Sequence, residues 1–194
     1  MLIRSERELR KIRGSKISVV YQDSSVLNPV LRAGDQIAEV LRAHFAWTRH
    51  QYRDKAMSLL RDVEMRDAER IYAAFPHQLS GGQRQRVALA QALACQPALV
   101  IADERTASLD PNTTSEILAL LGRLKRRFDT SFLLISHDLS ALTDLSDRIM
   151  IMYCGRVVEH GSRGEMLQSP LHPYTRALFQ CGSLLQPRNV CETG

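Results

Sequence analysis

Two short apolar runs limit the fold of this chain more than any other feature. Residues 98–102 (ALVIA) and 132–135 (FLLI) show no alternation of polar and apolar side chains, which is typical of strands buried on both faces of a parallel sheet. Between them, the apolar residues from 117 to 124 recur at helical spacing, so the segment is predicted to be strand, helix and parallel strand. We therefore expect an α/β domain with a mostly parallel sheet at its core.

A further strand and a helical segment are predicted before these runs. Residues 17–21 (ISVVY) are mostly β-branched and precede a turn-rich segment, so they predict a strand that ends at Gln22. From Asp35 onward, apolar residues fall at helical spacing in two successive segments, which predicts two amphipathic helices. Residues 34–78 are therefore expected to form a helical insert in the sheet domain.

The last third of the chain is predicted to consist of short structural elements. Residues 148–152 and 156–159 flank a Tyr-Cys-Gly turn and predict a β-hairpin. Residues beyond it suggest short helices and a tail. A chain of 194 residues with 44% hydrophobic composition has room for one domain with a core. We expect a domain over residues 1–161 and a short helical segment with a tail over 162–194.

Composition excludes several classes of protein. No apolar run approaches the roughly 20 residues of a membrane-spanning helix, and the charged N-terminus does not resemble a secretory signal, so we expect a cytoplasmic chain. The 4 cysteines show no C-x-x-C spacing, which argues against a disulfide framework or a zinc site. The net charge of +5 is spread along the chain, so no nucleic-acid partner is expected.

The segment LSGGQ at residues 79–83 is the first candidate for chemistry. Ser80 offers a hydroxyl, Gly81 and Gly82 offer backbone without Cβ, and the run that follows predicts a helix. Together these groups can hold a phosphate at a positive helix end. An ordinary glycine-containing helix start is the alternative for Ser-Gly-Gly alone. The longer string through Gln83 favours the phosphate site.

Polar residues follow the predicted strands at their carboxyl ends. Asp103 and Glu104 close one strand, where one acid can face Mg²⁺ through water while the other polarises an attacking water. A helix-capping acid is the alternative for either residue alone. His137 follows the next strand and Gln22 the first one. At a shared sheet edge, His137 is expected to contact phosphate and Gln22 to ligate Mg²⁺.

The loop that normally holds a nucleotide does not occur in this sequence. None of the 10 glycines begins a G-x-x-x-x-G-K-[ST] segment, whose backbone N–H groups and lysine bind the phosphates of a nucleotide. The segment Gly14-Ser15-Lys16 does not replace it, because no glycine stands five residues before Gly14. The sequence therefore combines several parts of a nucleotide site without its main phosphate-binding loop.

The order of these motifs resembles the nucleotide-binding domain of an ATP-binding cassette (ABC) transporter over nearly the whole chain. More narrowly, YQDSSVLNP after the first strand and PLHPYT at residues 170–175 resemble the oligopeptide and dipeptide importer branch, which includes nickel importers. The resemblance implies a partial P-loop NTPase fold with ATP and Mg²⁺ as cofactors. It implies the following roles: Gln22 as the Q-loop glutamine and a metal ligand, Ser80, Gly81, Gly82 and Gln83 as the signature, Asp103 as the Walker B aspartate and a metal ligand, Glu104 as the catalytic base, Asp110 as the D-loop aspartate and His137 as the switch histidine.

The resemblance also implies a function and partners. The expected function is ATP hydrolysis that energises the import of peptides or of a related solute such as nickel. The expected partners are a second ABC ATPase subunit, identical or not, integral membrane permease subunits and, indirectly, a solute-binding protein, with the chain on the inner face of the membrane. Two alternatives remain. One is a non-hydrolysing or regulatory subunit that lends its signature to another subunit's ATP site, and the other is an ABC ATPase of DNA repair or translation.

Two departures from the family pattern lead to further expectations. The chain begins where the family has already passed its first strands and its phosphate loop, so the isolated chain is expected to be inactive, with part of the surface at Ile17, Val100 and Leu134 exposed. Arg105 stands where the family usually has proline. An ion pair between Arg105 and Glu104 would weaken Glu104 as a base.

Overall fold

The computed structural model describes residues 5–21, 27–103, 111–136, 139, 143 and 145–184. The chain divides into two compact units, Met1–Ile135 and Ser136–Gly194. The predicted domain boundary after residue 161 stays a prediction. No described helix combines the length and the apolar character that a membrane span requires.

Within the described residues, the first unit contains a parallel sheet of three strands. Its strands are β1 (Ile17–Tyr21), β2 (Leu99–Asp103) and β3 (Ser131–Ile135), in the order β1-β2-β3. Tyr21 pairs with Asp103, which in turn pairs with Ile135. The three strands therefore end at the same level, and the predicted α/β class with a parallel sheet is confirmed.

The two faces of this sheet differ in exposure. Val20 and Val100 are buried, whereas Val19 is 41% and Leu133 is 49% exposed. Side chains alternate between the faces of a strand, so Val19 and Val100 lie on opposite faces in the parallel register. The prediction that these strands are buried on both faces is therefore wrong for one face in the described part of the chain. The expected exposure is confirmed at Ile17, whose side chain is exposed. The expectation is wrong at Val100, which is buried, and Leu134 is partly exposed.

The helices between β1 and β2 build a buried core in the first unit. The first unit contains these helices: α1 (Glu6–Arg10), α2 (Ala33–His44), α3 (Arg49–Asp62), α4 (Ala68–Ala73), a 3₁₀ turn (Pro76–Gln78), α5 (Gly81–Ala92) and, between β2 and β3, α6 (Pro111–Arg127). The two amphipathic helices expected from the sequence correspond to α2 and α3. Leu41, Leu60 and Val87 of α2, α3 and α5 have no exposed surface, so these helices share an apolar interior.

Local signals explain where these helices begin and how closely they pack. The Thr48 side chain accepts a hydrogen bond from the Gln51 N–H at 3.3 Å, and the Gln51 side chain accepts one from the Thr48 N–H at 2.8 Å. This reciprocal capping box fixes the start of α3. Gly34 allows α2 to approach α4, because a Cβ at this position would overlap the Tyr72 ring.

The described residues of the second unit include a hairpin and the helices that follow it. These elements are β4 (Arg148–Tyr153), β5 (Arg156–Ser162), α7 (Arg163–Gln168) and α8 (Pro173–Leu184). Cys154 and Gly155 between the strands have φ of 48° and 75°, which suits a two-residue hairpin turn. Within this unit, the carboxylate of Glu159 accepts hydrogen bonds from the N–H groups of Leu171 and His172. The PLHPYT segment is thereby fixed to β5.

Candidate functional site

The LSGGQ segment forms the start of α5. Ser80 is the N-cap residue, and its hydroxyl oxygen accepts a hydrogen bond from the Gln83 N–H at 3.2 Å. In return, the Gln83 side-chain oxygen accepts one from the Ser80 N–H at 3.0 Å. The serine and the glutamine of the motif therefore form a capping box. This arrangement fixes the direction in which the first turn of α5 points.

Two backbone donors remain at this helix end. No described residue accepts a hydrogen bond from the N–H of Gly81 or Gly82, as expected for the first turn of a helix. Both glycines are partly exposed, and neither carries a Cβ that would obstruct a ligand. The helix macrodipole adds partial positive charge at the same point. An anionic oxygen, such as that of a phosphate, therefore fits the start of α5.

The residues next to the capping box hold the segment in place. Leu79 is buried, and its carbonyl oxygen accepts a hydrogen bond from the Arg84 guanidinium at 2.7 Å. Arg84 therefore folds back over the first turn of α5. The apolar anchor and this hydrogen bond restrict the movement of Ser80 relative to the helix.

Asp103 lies at the end of β2, at the sheet edge predicted to carry the second half of the site. It is partly buried and has an interaction partner within the structure. Its neighbours in the sheet register are Tyr21 and Ile135, each of which comes shortly before a residue predicted to be functional. The residues predicted there, namely Gln22, Glu104, Asp110 and His137, and also Arg105, lie outside the described residues. Their roles stay predictions.

The fit of a metal ion at this edge depends on one described carboxylate. Among the described residues, no group of 3 or more His, Cys, Asp or Glu side chains is arranged to hold a metal ion. Mg²⁺ usually keeps several waters and binds through one or two carboxylates together with phosphate oxygens. Asp103 is compatible with that pattern of coordination.

Comparison with known proteins identifies the family. A family model described as ABC transporter matches residues 3–107 of this chain. This match covers β1, the helical insert, α5 with its signature segment, and β2. The chain belongs to the ABC transporter family.

Relatives with peptide-transport names share much of this ABC sequence. The oligopeptide transport ATP-binding protein AppD of Bacillus subtilis is 45% identical over 176 residues, which is 90% of this chain and 54% of the relative. OppD of Salmonella typhimurium, also named an oligopeptide transport ATP-binding protein, is 40% identical over 90% of this chain and 52% of its own length. The dipeptide transport ATP-binding protein DppD of Bacillus subtilis is 41% identical, with the same two coverages. The chain spans about half the length of these curated relatives.

Solved ABC structures share the fold. The dimeric ATP-binding cassette MJ0796, bound to ADP and phosphate, has a TM-score of 0.70 and 33% identity, over 82% of this chain and 68% of that chain. CbiO1 of Clostridium perfringens, described as part of the ABC transporter complex cbiONQ, has a TM-score of 0.74 and 26% identity, over 95% and 69% of the two chains. The fold described above is therefore that of an ABC cassette.

Sequence reasoning did not single out two polar residues of the ABC signature helix. Gln85 is 9% exposed, and its amide oxygen has no hydrogen-bond partner among the described residues. Arg86 extends from α5 to the residues after α3, where it contacts the carbonyl oxygen of Val63 at 3.0 Å. No local pattern singles out Gln85, because its neighbours Arg84 and Arg86 are also polar. No local pattern identifies the partner of Arg86, which is 23 residues away in the chain.

Proposed function

We propose that this chain contributes the signature and the catalytic sheet edge of an ATP-binding subunit in an ABC importer of peptides or of a related solute such as nickel. The start of α5 is the observation that carries this proposal, since Ser80 is fixed by its capping box while two N–H donors have no described acceptor. The names of the peptide-transport relatives support the substrate class. The order of the motifs supports a role for the chain in the ATP hydrolysis that energises transport.

Each site residue has a stated task in this proposal. The N–H groups of Gly81 and Gly82 and the hydroxyl of Ser80 donate to the terminal phosphate of an ATP that a second subunit holds, while Gln83 caps the helix start. The segment thereby positions the phosphate and offsets its charge. Mg²⁺-ATP supplies the phosphoanhydride bond that is hydrolysed. At the sheet edge, Asp103 and Gln22 hold the metal, while Glu104 accepts a proton from the attacking water. His137 contacts the terminal phosphate, and Asp110 contributes to the contact between subunits.

The proposed partners follow from where the signature acts. A second ABC ATPase subunit, identical or not, pairs with this chain, and the pair contacts integral membrane permease subunits at the cytoplasmic face of the membrane. A solute-binding protein acts indirectly, through the permease. CbiO1, whose fold is similar, is described as part of a transporter complex, and the MJ0796 cassette is described as dimeric. Both descriptions support an assembly of this kind.

We further propose that the isolated chain does not hydrolyse ATP. No G-x-x-x-x-G-K-[ST] segment occurs in its 194 residues, and the donors of that loop contribute most of the contacts to the β- and γ-phosphates. Steady-state ATP turnover by the purified chain is therefore expected to be at background. Turnover that Glu104→Gln abolishes in the chain alone would contradict this proposal.

A complementation experiment tests the catalytic sheet edge directly. An ABC ATPase segment that carries a G-x-x-x-x-G-K-[ST] loop is fused to this chain, and ATP turnover of the fusion is measured. We expect turnover that Glu104→Gln lowers by roughly 100-fold or more, because general-base catalysis contributes that much. Glu39→Gln, at an exposed position of α2, is the matched control. Equal turnover of the Glu104→Gln and Glu39→Gln fusions would refute the assignment of Glu104.

The second candidate is a subunit that lends its signature to a partner's ATP site and hydrolyses nothing itself. The intact start of α5 favours it, because the signature is well formed in this chain. The partner for this test is an ABC ATPase whose own signature serine has been replaced by arginine. The second candidate is supported if adding this chain restores turnover, if Ser80→Arg prevents the restoration, and if the fusion described above gives no Glu104-dependent turnover.

A further inference from the structure

A cluster of charged residues joins the helical insert to the two helices that border the proposed site. The carboxylate of Glu64, in the turn after α3, accepts two hydrogen bonds side-on from the Arg123 guanidinium, one of them from Nη2 at 2.9 Å. Arg86 of α5 contacts Glu64 at 3.3 Å and Glu116 of α6 at 3.4 Å. We call Glu64, Arg86, Glu116 and Arg123 the Glu64 cluster. It connects the insert, α5 and α6 through two carboxylates and two guanidinium groups.

A neighbouring ion pair also joins the end of α3 to α6. Asp62, the last residue of α3, pairs with Arg127 of α6. Arg123 and Arg127 are four residues apart, so they lie on the same face of α6. Asp62 and Glu64 are therefore held by two arginines from one helix face. The end of α3 is thereby fixed in its position along α6.

The backbone of Glu64 shows that a side chain is accommodated at a cost in this turn. Its φ is 61°, in the left-handed region that glycine adopts with little strain. A non-glycine residue in that region carries backbone strain. The carboxylate offsets that cost through its contacts with Arg123 and Arg86. The contribution of Glu64 therefore comes from its charge and not from its backbone conformation.

Water reaches part of the cluster. A groove of about 620 Å³ beside it is also lined by Arg61, Met65 and Arg66. The Arg86 side chain is 16% exposed, whereas that of Glu64 is 42% exposed. Partly solvated ion pairs contribute modestly to stability, but the two-bond geometry of an arginine with a carboxylate is directional. Such contacts can fix an orientation without contributing much to the free energy of folding.

We propose that Glu64 and its guanidinium partners hold the signature helix α5 and the insert in a fixed orientation relative to α6. Glu64 is thereby a positioning residue for the phosphate-binding end of α5 at Ser80. α5 packs against α2 and α3 of the insert. α6 is the next helix in the chain after β2, which ends at Asp103. The cluster therefore links α5, which begins at the signature, to the helix that follows the sheet edge in the chain. The link to ATP rests on the proposed function, but the positioning of α5 does not.

Glu64→Gly separates positioning from stability. Glycine removes the carboxylate and also relieves the left-handed φ, so the urea midpoint is expected to stay at or above that of the wild type. The orientation of the insert against α6 is nevertheless expected to be lost. Gln96→Gly is the matched control, because Gln96 also has a positive φ, of 51°, and lies outside the cluster. Arg123→Lys keeps the charge but not the two-bond geometry, and is expected to give an intermediate result.

Distances between spin labels measure the orientation. Labels are placed at Arg49→Cys on α3 and Arg126→Cys on α6, both exposed positions, with the 4 native cysteines replaced by serine. We expect one narrow distance distribution in the wild type and in Gln96→Gly. A broadened or two-peaked distribution is expected in Glu64→Gly. A narrow distribution in Glu64→Gly would overturn the proposal, whatever the protein does with ATP.

The same variants are then tested with the partner whose signature serine is replaced by arginine. If the wild-type chain restores turnover, Glu64→Gly is expected to lower it by roughly tenfold, with Gln96→Gly unchanged. Undiminished turnover together with a broadened distribution would overturn the positioning of Ser80. If the wild-type chain restores no turnover, the lending of the signature fails. In that case a broadened distribution still supports the Glu64 cluster as the element that orients α5, and a narrow one overturns it.

Discussion

The helical insert and the sheet of the first unit differ in how completely they bury their apolar residues. Leu41 and Leu60 in the insert have no exposed surface, whereas Leu133 and Ile135 on β3 are 49% and 48% exposed. Helices that surround a common interior can bury all their apolar stripes against one another, but a sheet has two faces and needs a layer on each. The insert therefore completes its core within the described residues, and the sheet completes one face.

The largest expected difference between the two regions comes from truncating leucines. Leu60→Ala in the insert is expected to lower the free energy of unfolding by about 2–5 kcal/mol, because it leaves a cavity in a packed interior. Leu133→Ala, the same change on the exposed sheet face, is expected to alter it by less than about 0.5 kcal/mol. Urea unfolding followed by circular dichroism measures both. Equal losses would show that the exposed face is covered in solution.

A smaller effect tests how tightly the insert is packed. Gly34→Ala places a methyl group where the Tyr72 ring lies, so α2 and α4 must separate or the ring must move. The expected loss is about 1–3 kcal/mol in the free energy of unfolding. Gly164→Ala in α7 is the control, because a Cβ there meets no atom within 4 Å. If Gly34→Ala is as stable as Gly164→Ala, the insert is less closely packed than the structure indicates.

The start of α5, which follows the insert, gives the next effect. Ser80→Ala removes the oxygen that accepts from the Gln83 N–H, and the expected loss is about 1 kcal/mol, as for other N-cap serines. Ser80→Gly should cost only a few tenths of a kcal/mol. Urea midpoints of the two variants measure the difference. Identical midpoints would mean that the capping box is not formed in solution.

The smallest expected effect is a dependence of stability on pH at Glu64, in the turn after α3. Hydrogen bonds from Arg123, with a further contribution from Arg86, hold the pKa of Glu64 below its ordinary value of 4.5. A pKa that is lower in the folded state gives stability that is present above the ordinary value and is lost as the pH falls through the folded pKa. Because Glu64 is 42% exposed, the contribution at pH 7 is expected to be about 1 kcal/mol or less.

Unfolding of Glu64→Gln and of the wild type at several pH values measures this contribution. The wild type is expected to be the more stable protein at neutral pH, and the difference should shrink as the pH falls below 4.5. Glu39→Gln, at an exposed position of α2, serves as the control. A difference that stays constant with pH would mean that the carboxylate of Glu64 is not held by the arginines in solution.

Much of the fold could be predicted from local patterns. The apolar runs indicated β2 and β3, helical spacing indicated α2, α3 and α6, and the motif order indicated the ABC family, which the family match confirms. The motif also marked the start of α5, because Ser80 and Gln83 are close enough in the chain to cap each other. The site was predicted less completely. Gln22, Glu104, Asp110 and His137 lie outside the described residues, so their arrangement stays a prediction.

The remaining features depend on contacts between distant residues. A continuous apolar run does not show which face of a strand is covered, and the exposure predicted for Val100 was wrong for this reason. Likewise, nothing near Glu64 indicates Arg123, which is 59 residues away in the chain. Position 64 adopts a positive φ although it is not glycine, a conformation that the neighbouring sequence does not predict.

The amino-acid sequence by itself determined the periodicity of each element, the helix start at Ser80 and the family to which the chain belongs. These features depend on residues within a few positions of one another, whose geometry is set by backbone stereochemistry and local hydrogen bonds. The tertiary structure decided which sheet face is buried and which arginines hold Glu64. Those outcomes depend on how the layers pack, because burial and ion pairing require groups that come together only when the chain has folded.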